Sequence, residues 1–282
     1  MADQVSTTVQ AGADNPLLGP WTAPLGLPPF EAVDPANYGP AFDQALAAHA
    51  DEIAAIAETA AAPTFANTVE AMERAGQALK RVSAVFFNLA GSHTNDALQA
   101  IEREMAPRLS RHRSAIFMNE ALYRRVAELH ALRAELGLSP EQARVLDRYH
   151  TIFVRAGARL SPGDKQRLAQ IVDRLATLGT QFSQNVLADE KGYTLVLDGE
   201  DDLAGLPGFL REAAAQAADE RGAPGKFVIT LGRSSIEPFL QFSARRDLRM
   251  KAFSAWIRRG DTGGATDNKA IIAEIISLRA ER

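Results

Sequence analysis

Residues 161–187 read SPGDKQRLAQIVDRLATLGTQFSQNVL, and this stretch decides the fold. Its apolar residues recur at steps of three and four, which is typical of an amphipathic helix. They are Leu168, Ile171, Leu175, Leu178, Phe182 and Val186. Ser161 and Pro162 suit the start of a helix as cap and first helical residue, and Asp164 favours its dipole. A helix over this range is about 40 Å long at 1.5 Å per residue, so we expect long antiparallel helices.

The sequence between Pro40 and Ser161 repeats this periodicity. We predict one helix with Phe42 to Ile56, a second with Phe65 to Phe86, a third after Thr94 and a fourth with Leu122 to Leu136. Residues 139–142, Ser-Pro-Glu-Gln, form a capping box and predict the start of a fifth helix.

The N-terminal segment differs from the rest in its prolines. Seven of the fourteen prolines lie in the first forty residues. Because proline lacks an amide donor and disfavours helix at the preceding residue, we predict an extended arm over residues 1–39. The arm is too apolar for a solvated tail, and we expect Trp21 and Phe30 to dock it on the body.

The helical pattern stops after residue 190. Tyr193–Leu197 and Phe227–Leu231 are short β-prone runs that we expect to pair as a small ribbon, with a helix between them over Leu206–Arg221. Helices resume near Ser235 and again from Asp267. The predicted fold is therefore mainly α, with a Pro-rich arm (1–39), a helical domain (40–190) and a part with the ribbon and further helices (191–282).

Composition excludes several classes of function. The net charge is −4, which gives no reason to expect nucleic acid as a partner. No apolar run approaches the length of a membrane span, and the first thirty residues show no secretory signal. There is no cysteine, so disulfides, thiolate catalysis and Cys-ligated metals are excluded. We expect a cytoplasmic protein.

The motifs of catalysis are also absent. The five histidines never form HExxH, and there is no G-x-S-x-G elbow, phosphate loop or G-x-G-x-x-G turn. His49 lies on an apolar stripe, which favours a core or boundary residue over a metal ligand, and the other histidines are predicted at the surface or boundary. The acidic run 198–202 lacks the EF-hand spacing, which favours a solvated turn over a calcium loop. By its own residues the chain is not a catalyst.

Several segments resemble, in order along the chain, the thimet-type zinc oligopeptidases and most closely their bacterial peptidyl-dipeptidases (dipeptidyl carboxypeptidases). They are Asn15–Leu18, Leu27–Phe30, Phe65–Glu70, Val85–Leu89, Leu160–Leu187, Leu203–Pro207 and Thr266–Arg279. Val85–Leu89, Val-Phe-Phe-Asn-Leu, favours the peptidyl-dipeptidase branch. The match covers nearly the whole chain.

The resemblance implies one lobe of a neurolysin-like clamshell of helices around a deep channel that admits short peptides. In the family, HExxH and a later Glu hold one zinc, and all of these lie downstream of the matched region. No catalytic, cofactor-binding or metal residue is therefore carried over to this chain. Zinc is expected in the full-length parent, not here, and the missing C-terminal catalytic part is the expected partner.

One rival interpretation comes from a different class. A self-sufficient helical module that binds peptides or proteins, without catalytic activity, fits composition and periodicity equally well. The family segments favour the peptidase, whereas a purely structural bundle does not explain the apolar arm or the ribbon. We also expect the last helix, from Asp267, to be cut off from its natural partners, because its isoleucines form a broad apolar surface.

Overall fold

The computed structural model of the chain describes residues 15–282. They form two compact units, one up to Thr177 and the other from Leu178 to Arg282. Residues 1–14 of the predicted arm lie outside the described part. The division into 1–39, 40–190 and 191–282 stays a prediction about domain organisation.

The first unit is built from helices. They are α1 (Tyr38–Glu58), a π-helical turn (Phe65–Glu70) that continues into α2 (Ala71–Arg74), α3 (Gln77–Ser92), α4 (Asp96–Phe117), α5 (Glu120–Ala131) and α6 (Pro140–Arg155). Helix α7 (Pro162–Gly192) starts here and ends in the second unit. With 31 residues it is about 46 Å long, so the long helix predicted from residues 161–187 is confirmed.

Side-chain caps fix the starts of several helices. Ser139 Oγ accepts from the Gln142 amide at 3.2 Å, and Gln142 Oε1 accepts from the Ser139 amide at 3.0 Å. Ser161 Oγ accepts from the Asp164 amide at 3.2 Å. Both predicted helix starts are confirmed, because each cap satisfies amides that the first helical turn leaves without partners.

The predicted single helix over Phe65–Phe86 is wrong. The chain leaves the helix at Ala75, and Gly76 adopts a left-handed conformation with φ +72° before α3 begins. A residue with a side chain rarely adopts this conformation, whereas glycine does so readily. Gly76 therefore ends one helix and allows the next to start in a new direction.

The core of the first unit joins α1 to its neighbours. Phe86 of α3 packs edge-to-face on Tyr38 and Phe42 of α1, with ring centroids 5.1 Å and 5.5 Å away. All three rings are fully buried. Such aromatic contacts add to the stabilisation from burial alone, so α1 and α3 are held firmly against each other.

The described part of the arm lies on this core, as predicted, although one predicted anchor is wrong. Leu17 is 1% exposed and belongs to the core cluster, with Trp21 packed against it. Arg81 of α3 stacks over the Trp21 ring at 4.1 Å and donates to the Gly19 carbonyl at 2.8 Å. Phe30 is 48% exposed, because it lies in a surface groove beside Arg81 and Val85 of α3 and does not enter the core, and Leu17 takes the anchoring role instead.

The second unit contains the ribbon and its covering helices. Strand β1 (Leu195–Leu197) pairs antiparallel with β2 (Phe227–Ile229), Val196 lying opposite Val228. The helices are α8 (Gly208–Asp219), α9 (Arg233–Phe242), α10 (Arg246–Ile257) and α11 (Lys269–Glu281). The predicted mainly α fold with a small β ribbon is confirmed.

The last helix begins two residues later than predicted. Asp267 does not cap it directly: Asn268 is the cap residue, and Asp267 Oδ1 accepts from the Lys269 amide at 2.9 Å. Ile271 is buried, whereas Ile276 is 63% exposed. Part of the predicted apolar surface is therefore uncovered.

Across residues 15–282, no helix is long and apolar enough to cross a membrane.

Candidate functional site

A pocket of about 470 Å³ opens in the first unit, lined by residues of α1, α2, α3, α4 and α6. Its volume lies in the range of small-molecule sites, which are mostly apolar with a few placed polar groups. Its apolar walls are Ile53, Met72, Leu79, Leu109, Ile116 and Phe117. The pocket is therefore the candidate ligand site of this unit.

Two histidines meet in the wall of this pocket. His112 Nε2 of α4 lies 2.9 Å from His49 Nδ1 of α1, so one ring donates a hydrogen bond to the other. Burial lowers the pKa of both imidazoles; the nearby Glu52 raises the pKa of His49 slightly, and His49 lowers that of His112 further. The lowered pKa values favour the neutral form of both rings at pH 7, and the hydrogen bond itself requires only that the accepting nitrogen is unprotonated.

Gly76 makes room for this histidine pair. A Cβ atom at this position would lie 2.9 Å from the His49 ring, closer than real contacts allow. The Gly76 amide donates to Glu52 Oε2 at 2.6 Å, which ties the turn to α1. Glycine is needed here both for its positive φ and for the space that the imidazole occupies.

The rim of the pocket carries charge. Glu73 accepts a hydrogen bond from the Tyr149 hydroxyl at 2.8 Å. Burial, and then this bond to Glu73, raise the pKa of Tyr149, so the phenol stays protonated. Arg113 lies over the Phe117 ring at 5.4 Å, and Lys80 is exposed at the opening. Neither cation has an ion pair within residues 15–282.

The structure agrees with the environments predicted for the histidines. His49 is half-buried at the pocket boundary, and the rest are half-buried or exposed. The sequence did not reveal that His49 meets His112, or that His130 and His150 stack at 4.0 Å. Each pair joins two helices, so helical periodicity gives no signal for the contact.

The Phe65–Glu70 segment stabilises the fold through hydrogen bonds of Asn67. Asn67 Oδ1 accepts from the Thr64 amide at 2.8 Å and from the Arg125 guanidinium at 2.9 Å. Arg125, only 8% exposed, also donates to the Ala61 carbonyl at 3.0 Å. A buried cation needs such partners, and Asn67 therefore couples the helical turn to α5.

The Leu203–Pro207 segment is explained by its glycine. Gly205 has φ +83°, and a Cβ there would lie 2.4 Å from the Phe242 carbonyl oxygen and 2.9 Å from the Ala244 amide nitrogen. The Ala244 amide donates to the Ala204 carbonyl at 2.8 Å. Two backbone segments meet so closely that only glycine fits between them.

The Thr266–Arg279 segment is held by Asn268, which is 1% exposed. Its side chain donates to the Phe182 carbonyl at 3.2 Å and accepts from Asn185 Nδ2 at 2.9 Å. Gly260 lies against it: the Gly260 carbonyl accepts from the Asn268 amide at 2.7 Å. Asn268 thus fixes the start of α11 to the C-terminal half of α7.

Carboxylates of the acidic run 198–202 form ion pairs with basic side chains of the same chain. Asp198 pairs with Lys226 at 2.6 Å, Glu200 with Arg211 at 3.0 Å, and Asp202 with Arg245. These pairs neutralise the carboxylates that a calcium loop would need, in agreement with the predicted solvated turn.

The residues that the structure describes contain no group of three His, Cys, Asp or Glu side chains placed to hold a metal ion. A catalytic zinc needs three such ligands. The zinc implied by the resemblance therefore does not fit these residues. The expectation that this chain has no catalytic, cofactor-binding or metal residue stays a prediction.

Comparison with known proteins gives similar chains but no matching family model. The dipeptidyl carboxypeptidase of Salmonella typhimurium is 37% identical over 265 residues, 94% of this chain. That of Escherichia coli is 36% identical over 268 residues, 95% of the chain. Oligopeptidase A of Escherichia coli is 27% identical over 271 residues, also 95% of the chain.

The chain spans only part of these proteins, 39% of the length of each. Identity to the two dipeptidyl carboxypeptidases exceeds identity to oligopeptidase A, as the Val85–Leu89 segment predicted. The resemblance is confirmed: the chain is homologous to part of the dipeptidyl carboxypeptidases and of the oligopeptidases A.

Proposed function

We propose that the chain is the N-terminal, channel-forming portion of a zinc metallopeptidase that cleaves short peptides and releases C-terminal dipeptides. One observation carries the proposal: identity of 36–37% to proteins named dipeptidyl carboxypeptidase along 94–95% of the chain. The lower identity to oligopeptidase A supports the dipeptide-releasing branch over its relatives.

In this proposal the catalytic zinc belongs to a part of the parent protein that follows the chain. The parent would carry HExxH on one helix and a Glu on a later helix, whereas the chain supplies no ligand. Its arm (1–39) and helical domain (40–190) would wall the channel and restrict it to short, unfolded peptides. Residues 191–282 would lead into the catalytic part.

The surface of the second unit offers a place for that catalytic part. Helix α10 carries Met250, Phe253 and Ile257 at steps of three and four, and all three are exposed. Ile272 and Ile276 of α11 are exposed as well. Apolar faces of this kind commonly mark binding surfaces. We propose that the remainder of the parent protein covers both helices.

The proposed location is the cytoplasm, supported by the lack of cysteine. Two relatives from Arabidopsis thaliana carry different locations in their names, one cytosolic and one chloroplastic or mitochondrial, so the relatives do not decide the compartment.

The experiment is to purify residues 1–282, measure bound metal, and incubate the chain with an N-blocked tripeptide. We expect substoichiometric zinc and no product, because three ligands at fixed geometry are missing. Stoichiometric zinc with chelator-sensitive cleavage would overturn the proposal that catalysis lies outside the chain. A native reading frame that stops at Arg282 would favour the rival, a helical binding module.

A further inference from the structure

The pocket with the histidine pair has a chemistry that channel formation does not require. Its volume is about 470 Å³, larger than the volume of a single side chain, and six large apolar residues line it. Such walls favour an aromatic or branched aliphatic group, since burial of apolar surface drives its transfer from water.

The charges at the opening select the sign of the ligand. Lys80 and Arg113 both line the pocket, both are exposed, and neither has an ion pair in the described part of the chain. The carboxylate there, Glu73, is already engaged by the Tyr149 hydroxyl. Glu73 keeps its negative charge in this bond, so the two cations and the one carboxylate leave a net charge of +1 in the lining, which favours an anionic group on the bound molecule.

The histidine pair adds a neutral donor. His49 Nδ1 and His112 Nε2 share one proton in their hydrogen bond. Each neutral ring carries one N–H. The donating ring uses its N–H in this bond, and the accepting ring still carries its own N–H on its other nitrogen. That N–H has no acceptor within residues 15–282 and stands in the wall of the pocket, available to a ligand oxygen.

We propose that this pocket binds an apolar monocarboxylate: an aromatic or branched group in the cavity, its carboxylate held by Lys80, Arg113 and the imidazole pair. The same chemistry occurs in a free aromatic acid and in the C-terminal residue of a short peptide. This proposal does not depend on the proposed peptidase function.

The test is calorimetric titration of residues 1–282 with three probes: 3-phenylpropionate, acetyl-Ala-Phe and acetyl-Ala-Phe amide. We expect both acids to bind and the amide to bind about tenfold more weakly or not at all, because it lacks the charge. Tighter binding of acetyl-Ala-Phe than of 3-phenylpropionate identifies a peptide C-terminus, and equal binding identifies a free acid. Equal binding of acid and amide, or no binding, overturns the proposal.

Variants locate the site. Lys80→Gln with Arg113→Gln should weaken binding of the acids about three- to thirty-fold, the combined effect expected of two exposed ion pairs. Lys251→Gln, which removes an exposed lysine from the second unit, is the matched control and should change nothing. Ser83→Leu should fill the cavity and abolish binding. Unchanged affinity in the charge variant overturns the assignment even where the Leu variant fails to fold.

The histidines provide a direct reporter. In ¹H–¹⁵N spectra of the imidazole groups, the acids should shift the signals of His49 and His112 and leave that of His93, which is outside the pocket, unmoved. Calorimetric binding without any shift at the pair would place the ligand elsewhere and overturn the proposal.

Discussion

Replacement of Gly76 by alanine tests how the turn and the histidine pair depend on each other. The φ of +72° imposes a left-handed conformation on the new residue, and its Cβ would lie 2.9 Å from the His49 ring. We expect the imidazole to move, which breaks its 2.9 Å hydrogen bond to His112. The conformational and packing costs should therefore both appear in one variant.

The magnitude follows from these two contributions. A non-glycine residue in the left-handed region costs about 1–2 kcal/mol. Loss of the His49–His112 hydrogen bond adds about 0.5–1.5 kcal/mol. Together they predict that the free energy of unfolding falls by about 1.5–3.5 kcal/mol.

The chain offers a matched control in the same unit. Gly137 has φ +61°, but nothing lies within 4 Å of the position of its Cβ. Gly137→Ala should therefore cost only the conformational part, about 1–2 kcal/mol. In a His49→Ala background, where the clashing ring is gone, Gly76→Ala should cost no more than Gly137→Ala does.

The assay is urea unfolding followed by circular dichroism, with the slope checked for each variant. Equal costs for Gly76→Ala and Gly137→Ala would refute the steric argument. A Gly76→Ala cost that persists unchanged after His49→Ala would show that the imidazole is not the obstacle.

Three further predictions concern separate parts of the molecule. Gly205→Ala should lower the free energy of unfolding by about 3 kcal/mol or more, since its Cβ meets rigid backbone at Phe242; a melting temperature within 2 °C of wild type, on the scale of about 1 kcal/mol, would contradict this. Leu17→Ala should cost about 2–4 kcal/mol and speed chymotryptic cleavage within the arm, which contains Trp21 and Phe30 as cleavage sites, whereas unchanged cleavage would show that Leu17 is no anchor. Because burial lowers the pKa of His49 and His112, the unfolded chain binds more protons than the native one below pH about 6.5. The melting temperature should therefore fall as the pH drops from 7 to 5, and fall less in the variant with both histidines replaced by glutamine; equal pH dependence would contradict the assignment.

Elements with strong local signals could be predicted from the sequence. The long helix α7, the capping box at Ser139 and the paired ribbon each depend on periodicity or cap chemistry within a few residues. These signals determine local backbone structure almost alone, so tertiary packing does not change the predicted elements.

Features decided by packing could not be predicted. The break at Gly76 is invisible in the apolar stripe, because its cause includes the His49 ring, far away in sequence. The arm carries several apolar side chains, and only the packed core shows that Leu17 is buried and Phe30 is not. The histidine pair forms because α1 and α4 lie side by side, and no sequence motif indicates this packing.

The segments that resemble the oligopeptidase family predicted the homologous proteins but no functional site. Their order along the chain identified the homologous proteins, but their residues proved structural: Asn67 holds Arg125, Gly205 lets two backbones meet, and Asn268 ties α11 to α7. Such positions stabilise the fold. The sequence therefore predicted the family more readily than it predicted any site.

We have proposed that this chain is the non-catalytic part of a dipeptide-releasing zinc peptidase. The most direct measurement is mass spectrometry of the products from an N-blocked tripeptide. The tripeptide is incubated with residues 1–282 alone, with the remainder of the parent protein alone, and with both polypeptides together. We expect a C-terminal dipeptide from the combined sample, loss of that product with a zinc chelator, and no product from residues 1–282. Cleavage by residues 1–282 alone, or a combined sample no more active than the remainder, would contradict it.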